Sequence, residues 1–193
     1  MKKLLLLILI ITTILTGCQK KEENYTKLKN FQSPIINYTN YTLKTKFNVY
    51  NEKDTIIQYM DFVKHDNLYA RTVMDENRKL LAKSFDKDRT LYFKDYTTGQ
   101  TDRKFITKLN DTSDDIRNII LLRPNFWKES PKVENIDDYF VEIYSEKGVI
   151  YKYFFQEDEL KKVELLDEKS GQLKLEIEIL ELIEDYDLDY FKF

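Results

Sequence analysis

Few residues of this chain have the types and spacing that catalysis or metal binding requires. The sequence has one histidine, His65, and one cysteine, Cys18, far apart along the chain. Nucleophilic catalysis needs an activated Ser, Cys or Thr beside a base, and a structural zinc site needs a cluster of His and Cys. His65 lies in a predicted turn among polar and charged residues, where we expect a solvated side chain. We therefore predict a protein that is not an enzyme and has no metal or cofactor.

Paired carboxylates are the remaining candidates for acid–base chemistry. They occur at Asp114 and Asp115, Asp137 and Asp138, and Glu184 and Asp185. In a chain with 34 acidic residues, such neighbours are expected without any function. We interpret them as helix caps or solvated faces.

Cys18 has other chemistry available, because it follows a segment with the layout of a secretory signal. Met1-Lys2-Lys3 is a short basic head, residues 4–15 form an apolar run, and Leu15-Thr16-Gly17-Cys18 resembles a bacterial lipobox. In that motif the cysteine sulfur receives a diacylglycerol and the preceding peptide is removed. The apolar run is also shorter than the roughly 20 residues of a spanning helix. We predict that residues 1–17 are a signal peptide and that Cys18 carries a lipid; a buried, unmodified cysteine is the alternative.

The predicted lipid anchor limits the location of the protein, its net charge, its partners and its source of stability. The chain is tethered to a membrane outside the cytoplasm, and two or more acyl chains hold it there firmly. Removal of residues 1–17 lowers the basic count from 31 to 29 against 34 acidic residues, which leaves a net charge of −5. Nucleic acid is not an expected partner, because nucleic-acid binding relies on a basic face. No second cysteine exists for a disulfide, so a hydrophobic core must provide the stability.

One domain is expected behind this anchor. Residues 18–24 are the lipidated cysteine and a polar, flexible tether, and residues 25–193 are the domain. Its composition favours strands, with 14 Tyr and 12 Phe but only 4 Gly. Residues 25–40 remain ambiguous, since Leu28 and Phe31 could share a helix face that Pro34 interrupts.

The elements that would position any site are mostly strands. Period-two alternation, broken by short polar turns, predicts ten strands, and breaks this short join strands antiparallel. The strands are expected over 41–49, 55–64, 68–75, 79–85, 90–96, 102–109, 139–144, 149–156, 160–167 and 172–182. One helix is expected between Asp111 and Leu122, because acidic and hydroxyl residues precede isoleucines at helical spacing and Arg123-Pro124 ends the pattern.

This pattern predicts a mainly β protein of the α+β class. A large antiparallel sheet with one apolar face must curl on itself or take a helix against that face. We expect a curved sheet that forms an incomplete β-barrel with one or two covering helices. A closed barrel is the alternative.

The lipobox, the strand meander and the ending carry a family resemblance. Leu160 to Asp167, then Gly171, Ile177 and the final Leu188-Asp189-Tyr190-Phe191-Lys192-Phe193 resemble the lipoprotein-carrier superfamily of LolA and LolB over roughly residues 38–193. The resemblance implies a LolA-like half-barrel. The many Lys, Asn, Ile and Tyr residues are typical of AT-rich genomes such as those of spore-forming bacteria, and the chain is similar there to germination lipoproteins of the GerS type.

The resemblance implies two classes of function. Germination lipoproteins of the GerS type bind a cell-wall amidase and license its activity, which implies a protein partner such as an envelope enzyme. Carriers of the superfamily instead hold a hydrophobic ligand or a lipoprotein in the concavity of the half-barrel. Open edge strands also allow a homodimer.

Two sets of residues are candidates for binding. A concave apolar face would hold a ligand, or would simply be a filled core; its candidate members are Phe47, Val49, Tyr59, Val73, Phe93, Phe154, Leu175 and Ile177. The second set is Arg123, Phe126 and Trp127, in a loop predicted after the helix. Trp and Arg are frequent in interface hot spots, so we expect this loop to contact a partner or to fold back over the core.

Overall fold

The computed structural model of this chain describes residues 27, 28, 30, 31, 39–105, 120 and 130–193. Its eleven strands form one antiparallel sheet. They are β1 (Asn40–Tyr50), β2 (Thr55–His65), β3 (Leu68–Met74), β4 (Leu80–Lys87), β5 (Thr90–Asp95), β6 (Thr101–Phe105), β7 (Lys132–Ile136), β8 (Tyr139–Glu146), β9 (Val149–Gln156), β10 (Glu159–Asp167) and β11 (Leu173–Ile183).

The sheet is open. Its strand order is β6-β5-β4-β3-β2-β1-β11-β10-β9-β8-β7, so β6 and β7 are the two edges and β1 pairs with β11 near the centre. Sheets that close into a barrel have no edge. The predicted mainly β fold with an incompletely closed barrel is therefore confirmed, and the closed-barrel alternative is wrong.

Short turns produce this order. Two residues, Asp88 and Arg89, join β4 to β5, and both have positive φ, at 51° and 58°. Lys147 and Gly148 join β8 to β9 with φ of 52° and 82°. Positive φ at both central positions gives the type I′ turn, whose twist matches that of paired strands.

The connection between β6 and β7 is the exception to these short turns. β6 ends at Phe105 and β7 begins at Lys132, on opposite edges of the sheet. Within this connection the structure describes Ile120, which is fully buried. The chain therefore contributes a core residue as it passes from one edge to the other.

The ten predicted strands all correspond to strands of the structure, but one strand was missed. β7 is short and polar, Lys-Val-Glu-Asn-Ile, and three of its five residues are exposed. Its pairing with β8 determines its conformation. Its sequence lacks the alternation of apolar and polar residues that would predict a strand. Residues 106–109, predicted to continue β6, lie outside the described part of the chain, as do residues 1–24 and the helix expected over 111–122 apart from Ile120.

One face of the sheet, the core face, carries a large hydrophobic cluster. Its buried members are Leu28, Tyr41, Leu43, Phe62, Ile120, Tyr144, Tyr151, Tyr153, Phe155, Leu160, Val163 and Ile177. Leu28 is one of four described helical residues, 27, 28, 30 and 31, in the part of the sequence that the residue pattern left ambiguous. Burying each large apolar side chain contributes about 1.5–3 kcal/mol, so this cluster is the main stabilising element.

The opposite face, the outer face, is partly covered by the C-terminal segment, residues 184–193. The Thr42 hydroxyl donates a hydrogen bond of 2.9 Å to the carbonyl oxygen of Asp185, and the Tyr190 hydroxyl donates one of 2.8 Å to Asp61 Oδ2. Tyr186, Tyr190 and Phe191 pack on a second, smaller cluster of Val63, Ala70 and Phe85. The segment contains a 3-10 turn, Leu188–Phe191.

This segment also explains why the expectation for His65 was wrong. The ring of His65 stacks on Tyr186 with centroids 4.0 Å apart, and its Nδ1 lies 3.0 Å from Asn40 Oδ1. Only 27% of the side chain is exposed. The covering residue is distant in sequence, so the polar neighbours of His65 did not reveal it.

Candidate functional site

The structure brings most of the predicted apolar set onto the core face. Phe47, Leu175 and Ile177 pack in the main cluster. Val49 is paired with Leu175, and Val73 with Met60 of the same cluster. Phe93 lies in a cross-strand row that continues through Ser84 and Arg71 to Phe62. Paired residues point to the same face of a sheet, so these six predicted residues share one face.

Two members of the predicted apolar set, Tyr59 and Phe154, lie on the outer face and not on the core face. Tyr59 adjoins Met60, a core-face residue, and its ring lies 4.2 Å from the guanidinium of Arg78. Phe154 lies between Tyr153 and Phe155, which are both in the main cluster. Because neighbouring residues of a strand point to opposite faces, Tyr59 and Phe154 are on the outer face and cannot line a pocket on the core face.

The core face is filled by the protein's own side chains. Tyr153, Phe155, Val163 and Ile177 each have no exposed surface. Leu28 and Ile120, from outside the sheet, are buried against them at 1% and 0% exposure. In the described part of the chain, this arrangement is that of a packed core.

A buried carboxylate holds the helical residues Lys27 and Leu28 on this face. Glu142 is only 1% exposed. Its Oε1 accepts a hydrogen bond of 2.5 Å from the backbone N–H of Lys27, and its Oε2 accepts bonds of 3.2 Å from the N–H of Leu28 and 3.0 Å from the Tyr144 hydroxyl. One buried carboxylate thus accepts hydrogen bonds from two consecutive backbone N–H groups, those of Lys27 and Leu28.

The pairing of β10 with β11 stops before either strand does. The last pair is Lys162 with Glu178. Beyond it, β10 continues to Glu159 paired with β9, and β11 continues to Ile183 paired with β1. In the described part of the chain, the facing sides of these two strand ends have no ladder between them. We call this gap the seam.

Two β-bulges lie at the seam, one in each strand. Lys161 is the extra residue of β10 against β9, where Leu160 and Lys162 pair with the consecutive residues Phe155 and Phe154. Leu180 is the extra residue of β11 against β1. A bulge bends its strand and increases the local twist, which explains why the two strands separate here.

The seam contains a groove of about 470 Å³. Its apolar lining comes from Phe31, Leu160, Ile179, Leu180 and Leu182, and its polar lining from Lys27, Asn30, Asp158, Glu159, Lys161 and Glu181. Leu180 is 45% exposed, whereas Leu160 is buried.

The charges around the groove are paired with one another. Lys27 Nζ lies 3.2 Å from Asp158 Oδ1. Lys161 pairs with Glu159, and Lys44 Nζ lies 2.6 Å from Glu181 Oε2. Its hydrogen bond to Glu181 raises the pKa of Lys44. No single charge therefore dominates the groove.

The outer face at the sheet centre carries a network of charged side chains. Glu164 and Glu176 are directly opposite each other across β10 and β11. Lys162 Nζ lies between them, at 2.6 Å from Glu164 and 3.4 Å from Glu176. Burial alone would lower the pKa of Lys162, but the hydrogen bond to Glu164 and the charges of both carboxylates raise it. Lysine here balances two like charges that would otherwise repel.

One edge of the sheet, β6, carries features that disfavour pairing with a further strand. All five residues of β6 are exposed, and three of them are charged. The Asp102 carboxylate accepts a hydrogen bond of 2.7 Å from the backbone N–H of Arg103. Charged residues and occupied backbone donors are common protections of an edge strand.

Other predicted sites can be placed only in part. Within the described residues there is no group of three or more His, Cys, Asp or Glu that could hold a metal ion, and no helix there has the length and apolar character to cross a bilayer. Cys18, Arg123, Phe126 and Trp127 lie outside the described residues.

No known protein-family profile matches the sequence, and no curated protein matches it. Solved structures do match. The chain is similar to an uncharacterized conserved protein from Thermus thermophilus, with a TM-score of 0.50 at 6% identity over 87% of this chain and 94% of that one. This likeness supports the fold.

Two further structures are similar at lower scores. A LolA superfamily protein, NE2245 from Nitrosomonas europaea, has a TM-score of 0.40 at 12% identity over 88% of this chain and 98% of its own. A chain in the complex of the CwlD amidase from Clostridioides difficile with the GerS lipoprotein has a TM-score of 0.32 at 17% identity, over 89% of this chain and 95% of its own.

Proposed function

We propose that this chain is a non-catalytic lipoprotein, anchored through Cys18, that binds a partner protein outside the cytoplasmic membrane. The partner proposed is a cell-wall amidase of the same cells, whose activity in spore germination the lipoprotein would license. The lipobox sequence supports the anchor. The sequence resemblance to germination lipoproteins of the GerS type supports the choice of an amidase.

The filled core face is the observation that carries this proposal. A carrier that holds its ligand on the core face needs a cavity there, whereas Tyr153, Phe155 and Ile177 occupy that face without exposed surface. Binding of a partner needs only the outside of the domain. Within the described residues the outside offers the seam groove and exposed apolar side chains such as Leu180 and Val133.

In this proposal, two groups of residues outside the described part of the chain have roles. Cys18 holds the lipid, residues 1–17 are removed as a signal peptide, and residues 18–24 are the tether. Arg123, Phe126 and Trp127 contact the partner, because Trp and Arg contribute strongly to interfaces.

Co-purification with each amidase of the same cells tests the proposal. The lipidated protein, extracted in mild detergent, is expected to form a stoichiometric complex with one amidase and to raise its rate of peptidoglycan hydrolysis. An amidase unrelated to spore germination is the control. If no amidase binds and no hydrolysis rate changes, the amidase proposal is wrong.

The second candidate function is a carrier of a hydrophobic ligand or lipoprotein. The apolar lining of the seam groove favours it, because pockets of about 300–1,000 Å³ with apolar walls are typical of ligand sites. Native mass spectrometry of the protein from its own cells separates the two functions. A retained lipid-sized mass would favour the carrier, and a retained protein partner without a small ligand would favour the amidase-binding lipoprotein.

A further inference from the structure

We infer that the seam between β10 and β11 is a docking slot for an extended peptide segment of a partner protein, which inserts there as an additional strand. The inference rests on the proposed function as a partner-binding protein and names the mode of binding. Strand addition to a sheet supplies affinity through main-chain hydrogen bonds and specificity through alternate side chains.

The main chain of the seam selects an extended peptide. Within Ile179–Ile183, every residue except the bulge residue Leu180 pairs with β1 on one side, while the other side of this segment faces the seam. Glu159–Lys161 are in the same position on the opposite wall. Each strand presents donors and acceptors on both sides. A strand inserted in the seam would lie about 4.7–4.9 Å from each wall, which is the usual distance between paired strands. A polypeptide provides both kinds of group at this spacing, and an acyl chain provides neither.

The bulges make the seam a lasting feature. Lys161 and Leu180 are extra residues in strands that are otherwise firmly paired with β9 and β1. Closing the gap would require both bulges to be removed, because each one shifts the facing register. The slot is therefore built into the sequence and does not depend on fraying of a strand end.

The lining determines which peptide fits. The charged side chains around the groove are already paired: Lys27 with Asp158, Lys161 with Glu159 and Lys44 with Glu181. An added charge would find no free counter-charge among them. The apolar side chains Leu180 and Leu182 favour a segment with apolar residues at alternate positions. The occupant is therefore an uncharged extended segment with alternating apolar side chains.

Hydrogen exchange with a synthetic peptide provides the test. The probe is acetyl-Thr-Ile-Thr-Ile-Thr-amide, added to the lipidated full chain in mild detergent. We expect the seam-facing amides of Ile179–Ile183 to exchange about tenfold more slowly when the peptide is at ten times its Kd. The matched control is the same peptide with N-methyl groups on alternate residues, which retains the side chains but lacks half the donors. Equal protection by both peptides, or protection by neither, would overturn strand insertion.

A pair of variants locates the site. Leu180→Lys is expected to weaken peptide binding about tenfold, because burial of the leucine is lost. Leu188→Lys, at an exposed site in the C-terminal segment, is the control and should bind as the wild type does. An unchanged affinity in Leu180→Lys would show that the peptide binds elsewhere and would overturn the inference.

The same variants separate this inference from the proposed function. If an amidase binds wild type and Leu180→Lys equally, the partner uses another surface, so the seam inference is wrong while the proposed function stands. If no amidase binds but the unmethylated peptide still protects Ile179–Ile183, the seam is supported and the choice of partner is wrong.

Discussion

The carboxylate of Glu142 accepts a hydrogen bond of 2.5 Å from the backbone N–H of Lys27, 115 positions earlier in the chain. This contact ties Lys27, the described residue nearest the proposed anchor, to the core face. Leu28 is buried against the main cluster as a result. Any pull on the tether would act on this attachment.

Glu142→Gln should therefore destabilise the domain. One acceptor remains, but the new amide NH2 faces a backbone N–H, so a buried donor loses its partner at a cost of about 1–3 kcal/mol. Urea denaturation followed by tyrosine fluorescence measures the free energy of unfolding. Glu168→Gln, in an exposed turn, is the matched control. If the two variants have the same free energy of unfolding, the hydrogen bonds from Lys27 and Leu28 to Glu142 do not stabilise the domain.

Tyr190→Phe should loosen the C-terminal segment. The variant loses the hydrogen bond to Asp61, which we expect to cost about 1 kcal/mol for a half-buried group. Tyr96→Phe, at an exposed position, is the control for removal of a hydroxyl. Equal stability of Tyr190→Phe and wild type in urea would contradict the assigned role.

The same hydrogen bond predicts a dependence on pH. Burial and the bond to Asp61 raise the pKa of Tyr190 in the folded state. The contribution of Tyr190 to stability is therefore complete below the unfolded pKa of about 10 and is lost as the pH rises from there toward the folded pKa. Stability measured from pH 8 upward, with pH as the variable, should fall more steeply in wild type than in Tyr190→Phe. Parallel curves would contradict this assignment.

Lys162→Met should destabilise the sheet centre. It leaves Glu164 and Glu176 opposite each other without the cation between them, which we expect to cost about 1–2 kcal/mol and less at high salt. Adding Glu164→Gln to this variant should recover part of the loss, because the repulsion is removed. Lys169→Met, in an exposed turn, should change the unfolding free energy little. If the double variant is no more stable than Lys162→Met, repulsion between Glu164 and Glu176 is not the cause of the loss.

Cys18→Ala should abolish lipidation. A labelled palmitate supplied to the cells is expected to enter the wild-type protein and the control Lys20→Ala, because Cys18 carries the only thiol in the sequence. Label retained in Cys18→Ala would mean that the lipobox interpretation is wrong.

Trp127→Ala should weaken binding of the proposed amidase about tenfold, since truncated hot-spot residues cost more than 1 kcal/mol. Isothermal calorimetry measures the affinity, and Tyr96→Ala is the control for loss of an exposed aromatic ring. Unchanged affinity would remove Trp127 from the contact surface.

The fold could be predicted because alternation and turn residues are local signals. Phe47 and Ile177 were correctly expected to share the apolar face, because a one-residue slip would turn the whole apolar set outward. β7 was missed because pairing with β8 determines its conformation. Tyr59 and Phe154 were misplaced because an aromatic residue suits either face of a strand.

The seam was not predicted, although the sequence contains a signal for it. Apolar residues alternate through Ile177 and Ile179, and the pattern then slips by one residue to Leu182. Leu160 and Val163 show the same slip around two lysines. Both slips coincide with the bulges in the structure. Glu142 has a similar signal, because it shares its strand parity with Phe140 and Tyr144 of the core. The ion pairs around the groove, such as Lys44 with Glu181, could not be predicted, because most of them join residues that are distant in sequence.

The strand order has a consequence for how the chain folds. β1 to β6 and β7 to β11 are each a run of hairpins between sequence neighbours, and such local contacts form early. The two runs are joined in the sheet only where β1 meets β11, the first strand and the last. That junction cannot form until β11 has been synthesised, so until then β1 has an unpaired side that a second unfolded chain could occupy.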